Sequence, residues 1–132
     1  MKFKHYKSDI IEIIDGIGPD INKFKKKKIL LIGANGFLGK YFVKTFERLI
    51  DEKNISLSLD CYDNHISSKK TEFYTLSDSK FIKFFNANIN NIRIKKKYDY
   101  IIYLAGIASP FIYKKYPLET LSVSYLGVKN LL

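Results

Sequence analysis

The chain has 132 residues, enough to bury one hydrophobic core and too few for a second full domain. With 46% apolar and 27% charged residues and a single cysteine, it is read as globular, and a disordered, collagen-like or disulfide-stapled chain is excluded. The formal net charge of +10 would suit a nucleic-acid binder, yet only Arg48 and Arg93 supply the side chain that reads bases bidentately, so the charge is read as a solvated lysine-rich surface.

No apolar run approaches the roughly 20 residues of a membrane helix, the longest being Ile101 to Ala108. Met1 to Lys7 leads into an acidic stretch and not into an apolar leader segment, so a cytoplasmic location and no membrane contact are expected. His5 and His65 are isolated, which gives no metal-ligand spacing.

In chain order, Ser8-Asp9 is expected to cap a helix carrying Ile10, Ile11, Ile13 and Ile14, closed by Asp15-Gly16-Ile17-Gly18-Pro19. Residues 1–26 are expected to form a helical extension, and the charge run Lys25 to Lys28 is read as a solvated lead-in to the next strand. Ile29-Leu30-Leu31-Ile32 is a continuous apolar run, as expected of a parallel strand buried on both faces. Gly33-Ala34-Asn35-Gly36 breaks it, and Phe37, Leu38, Tyr41, Phe42, Thr45, Phe46 and Leu49 then recur at helical spacing to about Ile50. A second strand is predicted over Ile55 to Tyr62, a loop with a short helix over Asn64 to Ser79, a third strand over Phe81 to Phe85 and a fourth over Tyr100 to Ala105. Pro117 suits the first turn of a final helix through Leu121, Val123, Leu126 and Val128. The alternation predicts an α/β fold, a Rossmann-type parallel sheet with flanking helices and about four strands.

Gly33, Gly36 and Gly39 each have a distinct task in such a fold. The first turns the chain out of the strand, the second removes a side chain from in front of the backbone amides, and the third lets the helix pack closely on the sheet. With Asn35 inside the turn, the N–H groups around Phe37 and Leu38 face an anion at the positive end of the helix dipole. The strand before and the amphipathic helix after turn a weak glycine motif into a specific one.

Gly33-Ala34-Asn35-Gly36-Phe37-Leu38-Gly39 is G-x-x-G-x-x-G, and here the sequence resembles the extended short-chain dehydrogenase/reductase family of nucleotide-sugar epimerases, dehydratases and decarboxylases. Asp99-Tyr100-Ile101-Ile102-Tyr103-Leu104-Ala105-Gly106 is similar to that family's D-x-V-x-H-L-A-A strand, and Val123 to Leu132 to its V-N-x-x-G-T-x-N-L-L helix. Ala108-Ser109-Pro110-Phe111-Ile112-Tyr113, followed by Tyr116-Pro117-Leu118-Glu119-Thr120, is most similar to segments of UDP-glucuronate decarboxylases. Three positions depart from the pattern: Ile32 replaces a Thr, Tyr103 a His and Ser124 an Asn.

The resemblance implies NAD as cofactor and a nucleotide sugar as substrate of the parent enzyme. It also implies an acid closing the second strand that binds the adenosine ribose. Asp60 lies nearer the usual offset of about 20 residues but would interrupt the strand, whereas Asp63-Asn64 matches the family's D-N, so Asp63 is preferred; the alternative makes both solvated turn residues. Asn88, followed by Ile89, stands where relatives carry the Asp that receives the adenine amino group, and an amide oxygen still accepts that bond. Leu104, Ala105 and Gly106 are expected along the nicotinamide side, with close packing an equal explanation for Ala105.

In this family a Tyr takes the substrate's hydroxyl proton while NAD+ removes a hydride, giving a keto-sugar, and a Lys four residues later lowers the Tyr pKa. The chain has one Y-x-x-x-K, Tyr125 and Lys129, but it falls one strand-helix unit too early, so no catalytic residue is assigned. Residues 27–132 are therefore expected to be an NAD-binding domain cut before the catalytic unit, inactive alone. A stand-alone dinucleotide module is the alternative, and a basic nucleic-acid binder ranks third. An open sheet edge after the fourth strand implies self-association or a complementing chain.

Overall fold

The structure, a computed structural model, describes residues 6–66 and 74–132. Helix α1 (Tyr6–Ile17) runs into a 3-10 helix over Gly18–Phe24 with Pro19 in its first turn. Strand β1 (Lys28–Ile32) feeds α2 (Phe37–Asp51), then β2 (Ser58–Asp63), β3 (Ile82–Asn86), a short 3-10 turn at Ile89–Asn91 and β4 (Tyr100–Tyr103). Two helices close the chain, α3 (Pro110–Lys115) and α4 (Pro117–Lys129).

The four strands form one parallel sheet in the order β3-β2-β1-β4. Ile29 lies opposite Leu59 on one side and Tyr100 on the other, so β1 is paired along both edges. Its alternation sends Ile29 and Leu31 to one face and Leu30 and Ile32 to the other. Covering both faces leaves these four residues at most 2% exposed, each contributing about 1.5–3 kcal/mol of burial.

The two faces are covered unequally. Val43, Phe46 and Leu49 of α2 pack with Ile10 and Ile14 of α1 over Ile29, Leu31, Leu59 and Cys61. Leu30 and Ile32 meet Ile89, with Tyr62, Tyr98, Tyr103 and Leu131 around them. Burial pushes the Cys61 thiol well up, with the Asp60 charge adding to the shift, so that sulfur stays a neutral packing group.

The element boundaries correct the sequence expectation in several places. α1 begins at Tyr6, which puts Ser8 inside the first turn and not at the cap. β2 starts at Ser58, because Ile55 and Leu57 enter the core before the ladder begins. β4 stops at Tyr103, where Leu104 N–H still donates to Ile32 but the following residues leave the sheet. Phe37 and Leu38, expected on the core face of α2, are 61% and 57% exposed, while Val43 is fully buried. Their spacing is helical, but they precede the point at which α2 reaches the sheet. α3 was not foreseen, and within the predicted loop at 64–79, residues 67–73 lie outside the described residues.

Candidate functional site

Strand order reverses between β1 and β4: the first crossovers build toward β3, the later one returns to the other side of β1. In an open parallel sheet the carboxyl ends of the strands at that switch leave a crevice. Here the crevice narrows to a cavity of about 130 Å³.

Its floor is the turn after β1. Gly33 has φ +82°, and its N–H donates to the Tyr62 carbonyl at 2.8 Å. A Cβ there would sit 2.8 Å from the Ala105 nitrogen and the Leu104 carbonyl carbon, so the site demands glycine both for its conformation and for the approach of the β4 end. A Cβ on Gly39 would overlap the Gly33 oxygen and lie 2.6 Å from the Ala34 carbonyl carbon, which is how closely α2 rests on the turn. Gly36 caps α2 in extended backbone without a side-chain hydrogen bond. The N–H groups of Phe37, Leu38 and Gly39 thus open the helix with no intrahelical acceptor, at the positive end of its dipole.

The acid of the site closes β2. Asp63 Oδ2 accepts the Asn35 N–H at 2.9 Å and Oδ1 accepts the His65 N–H at 2.7 Å. Asn35 is fully buried, and its side-chain amide meets the His65 ring nitrogen at 3.2 Å. A carboxylate has about four lone-pair directions, so Asp63 retains acceptor capacity toward the cavity that it lines. Asn88 lines the same space, its Oδ1 accepting the Asn90 N–H at 3.0 Å and so shaping the turn that buries Ile89.

Of the residues singled out in the sequence, Gly33, Gly36, Asp63, Asn88, Ile89, Leu104, Ala105 and Gly106 converge on the cavity wall. Asn35 stands behind it. Phe37 and Leu38 turn their side chains into a separate apolar groove between α1 and α2, so what they offer the turn is backbone. Sequence reasoning missed Tyr62, Ser109, Ile112 and Val123 as lining residues. Tyr62 could have been found from strand alternation beside Asp63. It stacks on Phe85 with ring centroids 4.7 Å apart, and burial, with Asp60 adding, raises its pKa, so it remains a neutral phenol.

Asp60 does not interrupt its strand. It is a buried member of β2, paired in register with Leu30, and its Oδ2 accepts hydrogen bonds from Tyr98 at 2.6 Å and Lys96 at 2.5 Å. Those contacts absorb its charge away from the cavity, and neither it nor Asp63 is a solvated turn residue. Tyr125 is 62% exposed and, like Lys129, stands outside the cavity lining. Among the described residues no cluster of His, Cys, Asp or Glu is arranged for a metal ion, and no helix is long and apolar enough to cross a membrane.

The family model for the NAD dependent epimerase/dehydratase family matches residues 29–132. A search of curated proteins returned no significant match. Among solved structures, the fold is similar to an epimerase from the methanogen Methanothermobacter thermautotrophicus, with TM-score 0.71 and 19% identity over 86% of this chain and 33% of that one. It is also similar to the UDP-Glc/GlcNAc 4-epimerase of Campylobacter jejuni (TM-score 0.60, 20% identity, 79% of this chain and 32% of that one). A third is WbmH of Bordetella bronchiseptica, solved in complex with NAD+ (TM-score 0.58, 16% identity, 80% and 33%). The chain thus spans about a third of the length of each.

Proposed function

The chain belongs to the NAD-dependent epimerase/dehydratase family, and from that premise we propose that residues 27–132 form a unit that binds NAD in the crevice between β1 and β4. The observation that carries the reading is the Asp63 carboxylate, held at the cavity wall by the N–H of Asn35 from the glycine turn itself. This couples the acid suited to two ribose hydroxyls with the N–H groups suited to a pyrophosphate.

The residues present fit the group. At Gly33 and Gly39 a Cβ would strike the backbone of the β4 end and of the turn itself, so the shape of the turn requires glycine at both, and Gly36 keeps its rim free of side chain. In this reading the turn from Gly33 to Gly39 and the first N–H groups of α2 receive the pyrophosphate. Asp63 accepts from the ribose, Asn88 and Ile89 flank the adenine, and Leu104, Ala105 and Gly106 line the nicotinamide side. The 130 Å³ of this open cavity has room for one portion of a dinucleotide, and the remainder would lie along the crevice. When bound, the nicotinamide supplies a hydride acceptor for a sugar carbon.

A nucleotide sugar is the proposed substrate class of the parent enzyme, as for the Campylobacter neighbour. The decarboxylase-like reading rests on the resemblance of residues 108–113 and 116–120 to segments of UDP-glucuronate decarboxylases, and Ser109 and Ile112 of the first segment border the cavity. Residues 1–132 are assigned binding without turnover, because Tyr125 and Lys129 lie on solvent-facing positions of α4. Cytoplasmic placement belongs to the same proposal.

The test is thermal unfolding with and without millimolar NAD+. Ligand binding to the native state alone raises the midpoint by several degrees. Gly36→Asp should abolish the rise while leaving the fold intact, because Asp is a favoured N-cap whose charge repels a pyrophosphate. NADP+ should act more weakly, its extra phosphate meeting Asp63. No shift with NAD+ would overturn the proposal.

A further inference from the structure

Asn88 borders the cavity just beyond β3, and the turn that follows it fixes which way its amide faces. Its Oδ1 accepts the Asn90 N–H at 3.0 Å, at the start of the 3-10 turn over Ile89–Asn91. That turn is clamped by α4 and the residue that ends it. Asn130 donates to the carbonyls of Ile89 and Asn90, both at 2.9 Å, and Asn90 donates its side-chain amide to Ser122 at 3.1 Å. Ile89 is buried within it.

An asparagine amide carries an acceptor at one end and two donors at the other, and here the Asn90 N–H decides between them. Turning the amide over would set donor against donor and leave that N–H without its acceptor, so the oxygen stays with the turn. The nitrogen is left at the other end of the amide, and among the described residues nothing accepts from it. Beside Asn88 the cavity wall is apolar, Ala87 and Ile89, and Asp63 is the one charged side chain in the lining. A base edge brought against Asn88 therefore meets a neutral N–H donor and no carboxylate.

The 6-position of a purine tells these two apart. An amino group there donates and an oxo group accepts. A carboxylate at position 88 could only accept, which would hold a 6-amino group and repel a 6-oxo oxygen; the nitrogen of Asn88 donates to the oxo oxygen, and adenine can meet it only through a ring nitrogen. We propose that Asn88 sets the base selectivity of the crevice, which takes a 6-oxopurine dinucleotide, with hypoxanthine in place of adenine, at least as tightly as NAD+. The inference rests on the cofactor reading, which sets the base against Asn88 and Ile89.

Calorimetric titration of the 132-residue chain with NAD+ and with nicotinamide hypoxanthine dinucleotide decides it. The two ligands share the pyrophosphate, both riboses and the nicotinamide, so the ratio of their dissociation constants isolates the base. The hypoxanthine form is expected to bind as tightly as NAD+ or tighter. N88D keeps an oxygen for the Asn90 N–H and turns a second, charged oxygen to the base, so it should favour NAD+ by at least about tenfold. NAD+ binding to the unaltered chain more than about threefold tighter than the hypoxanthine form overturns the inference and leaves the cofactor reading standing. That ratio needs no variant, so it decides even if N88D fails to fold. A folded N88D chain with the unaltered ratio also overturns it, because the base then lies elsewhere. Binding of neither dinucleotide overturns the cofactor reading and this inference together.

Discussion

The Asn35 N–H and the Asp63 carboxylate are joined by a 2.9 Å hydrogen bond that ties the glycine turn after β1 to the end of β2. The other oxygen of Asp63 takes the His65 N–H, so one side chain satisfies two loop donors at once. Asp63→Ala should therefore lower stability by about 1–3 kcal/mol, the cost of leaving buried donors unpaired, and should also remove the NAD+-dependent rise in melting temperature. Asp63→Asn keeps an acceptor for one donor and should fall between the two. Thermal melts of the three proteins with and without NAD+ check both effects.

The glycines divide into those with neighbours at the missing Cβ and those without. At Gly39 an added methyl meets backbone of Gly33 and Ala34, which no side-chain rotation relieves. Gly39→Ala should cost about 1–3 kcal/mol or more. Gly16, inside α1, has nothing within 4 Å, and Gly16→Ala should stabilise by up to about 1 kcal/mol through helix propensity. Urea unfolding of both variants reads the opposite signs.

Tyr98 donates to the buried Asp60, and burial first, then that hydrogen bond, raise its pKa. The sign of the pH effect follows. Below about pH 10 the phenol is neutral in both folded and unfolded chains and the stabilisation is complete; above it the unfolded chain loses the proton first, so stability falls as pH rises. Tyr98→Phe should cost about 1–3 kcal/mol at neutral pH and make the alkaline decline shallower. Tyr62 and Tyr103, also raised, keep part of that decline in the variant. Denaturant unfolding at a series of pH values from neutral to alkaline measures it.

Gly127 and Tyr103 share one space between α4 and β4. Gly127→Ala pushes a methyl into the Tyr103 ring and should destabilise by about 1–3 kcal/mol. Removing the hydroxyl makes room, so Gly127→Ala with Tyr103→Phe should lose less than the sum of the single changes, although Tyr103→Phe alone gives up the bond to Val123. A double-mutant cycle in unfolding free energy should return a coupling of about 0.5 kcal/mol or more.

The readable parts of this protein are those whose cause is local. Four consecutive apolar residues from Ile29, three glycines at fixed offsets and a helical period after them depend on neighbours a few residues apart, and they determined the parallel sheet, the turn and α2. Asp63 was singled out by resemblance, as the acid closing the second strand, and β2 does end on it. What lay beyond the sequence depends on contacts between residues far apart in the chain. Asp60 read as a strand breaker because its partners, Lys96 and Tyr98, stand 36 and 38 residues away. Phe37 and Leu38 follow the helical period of a core face, but whether a period is buried depends on where the neighbouring elements sit, and α1 and the sheet leave those two exposed. The exposed Leu118, Leu121 and Tyr125 of α4 show the same limit from the other side. Their spacing is in the sequence, yet only the packing of Val123 and Gly127 against β4 and the Ile89 turn decided which of two apolar faces remained outside, because a helix has no inside until something covers it.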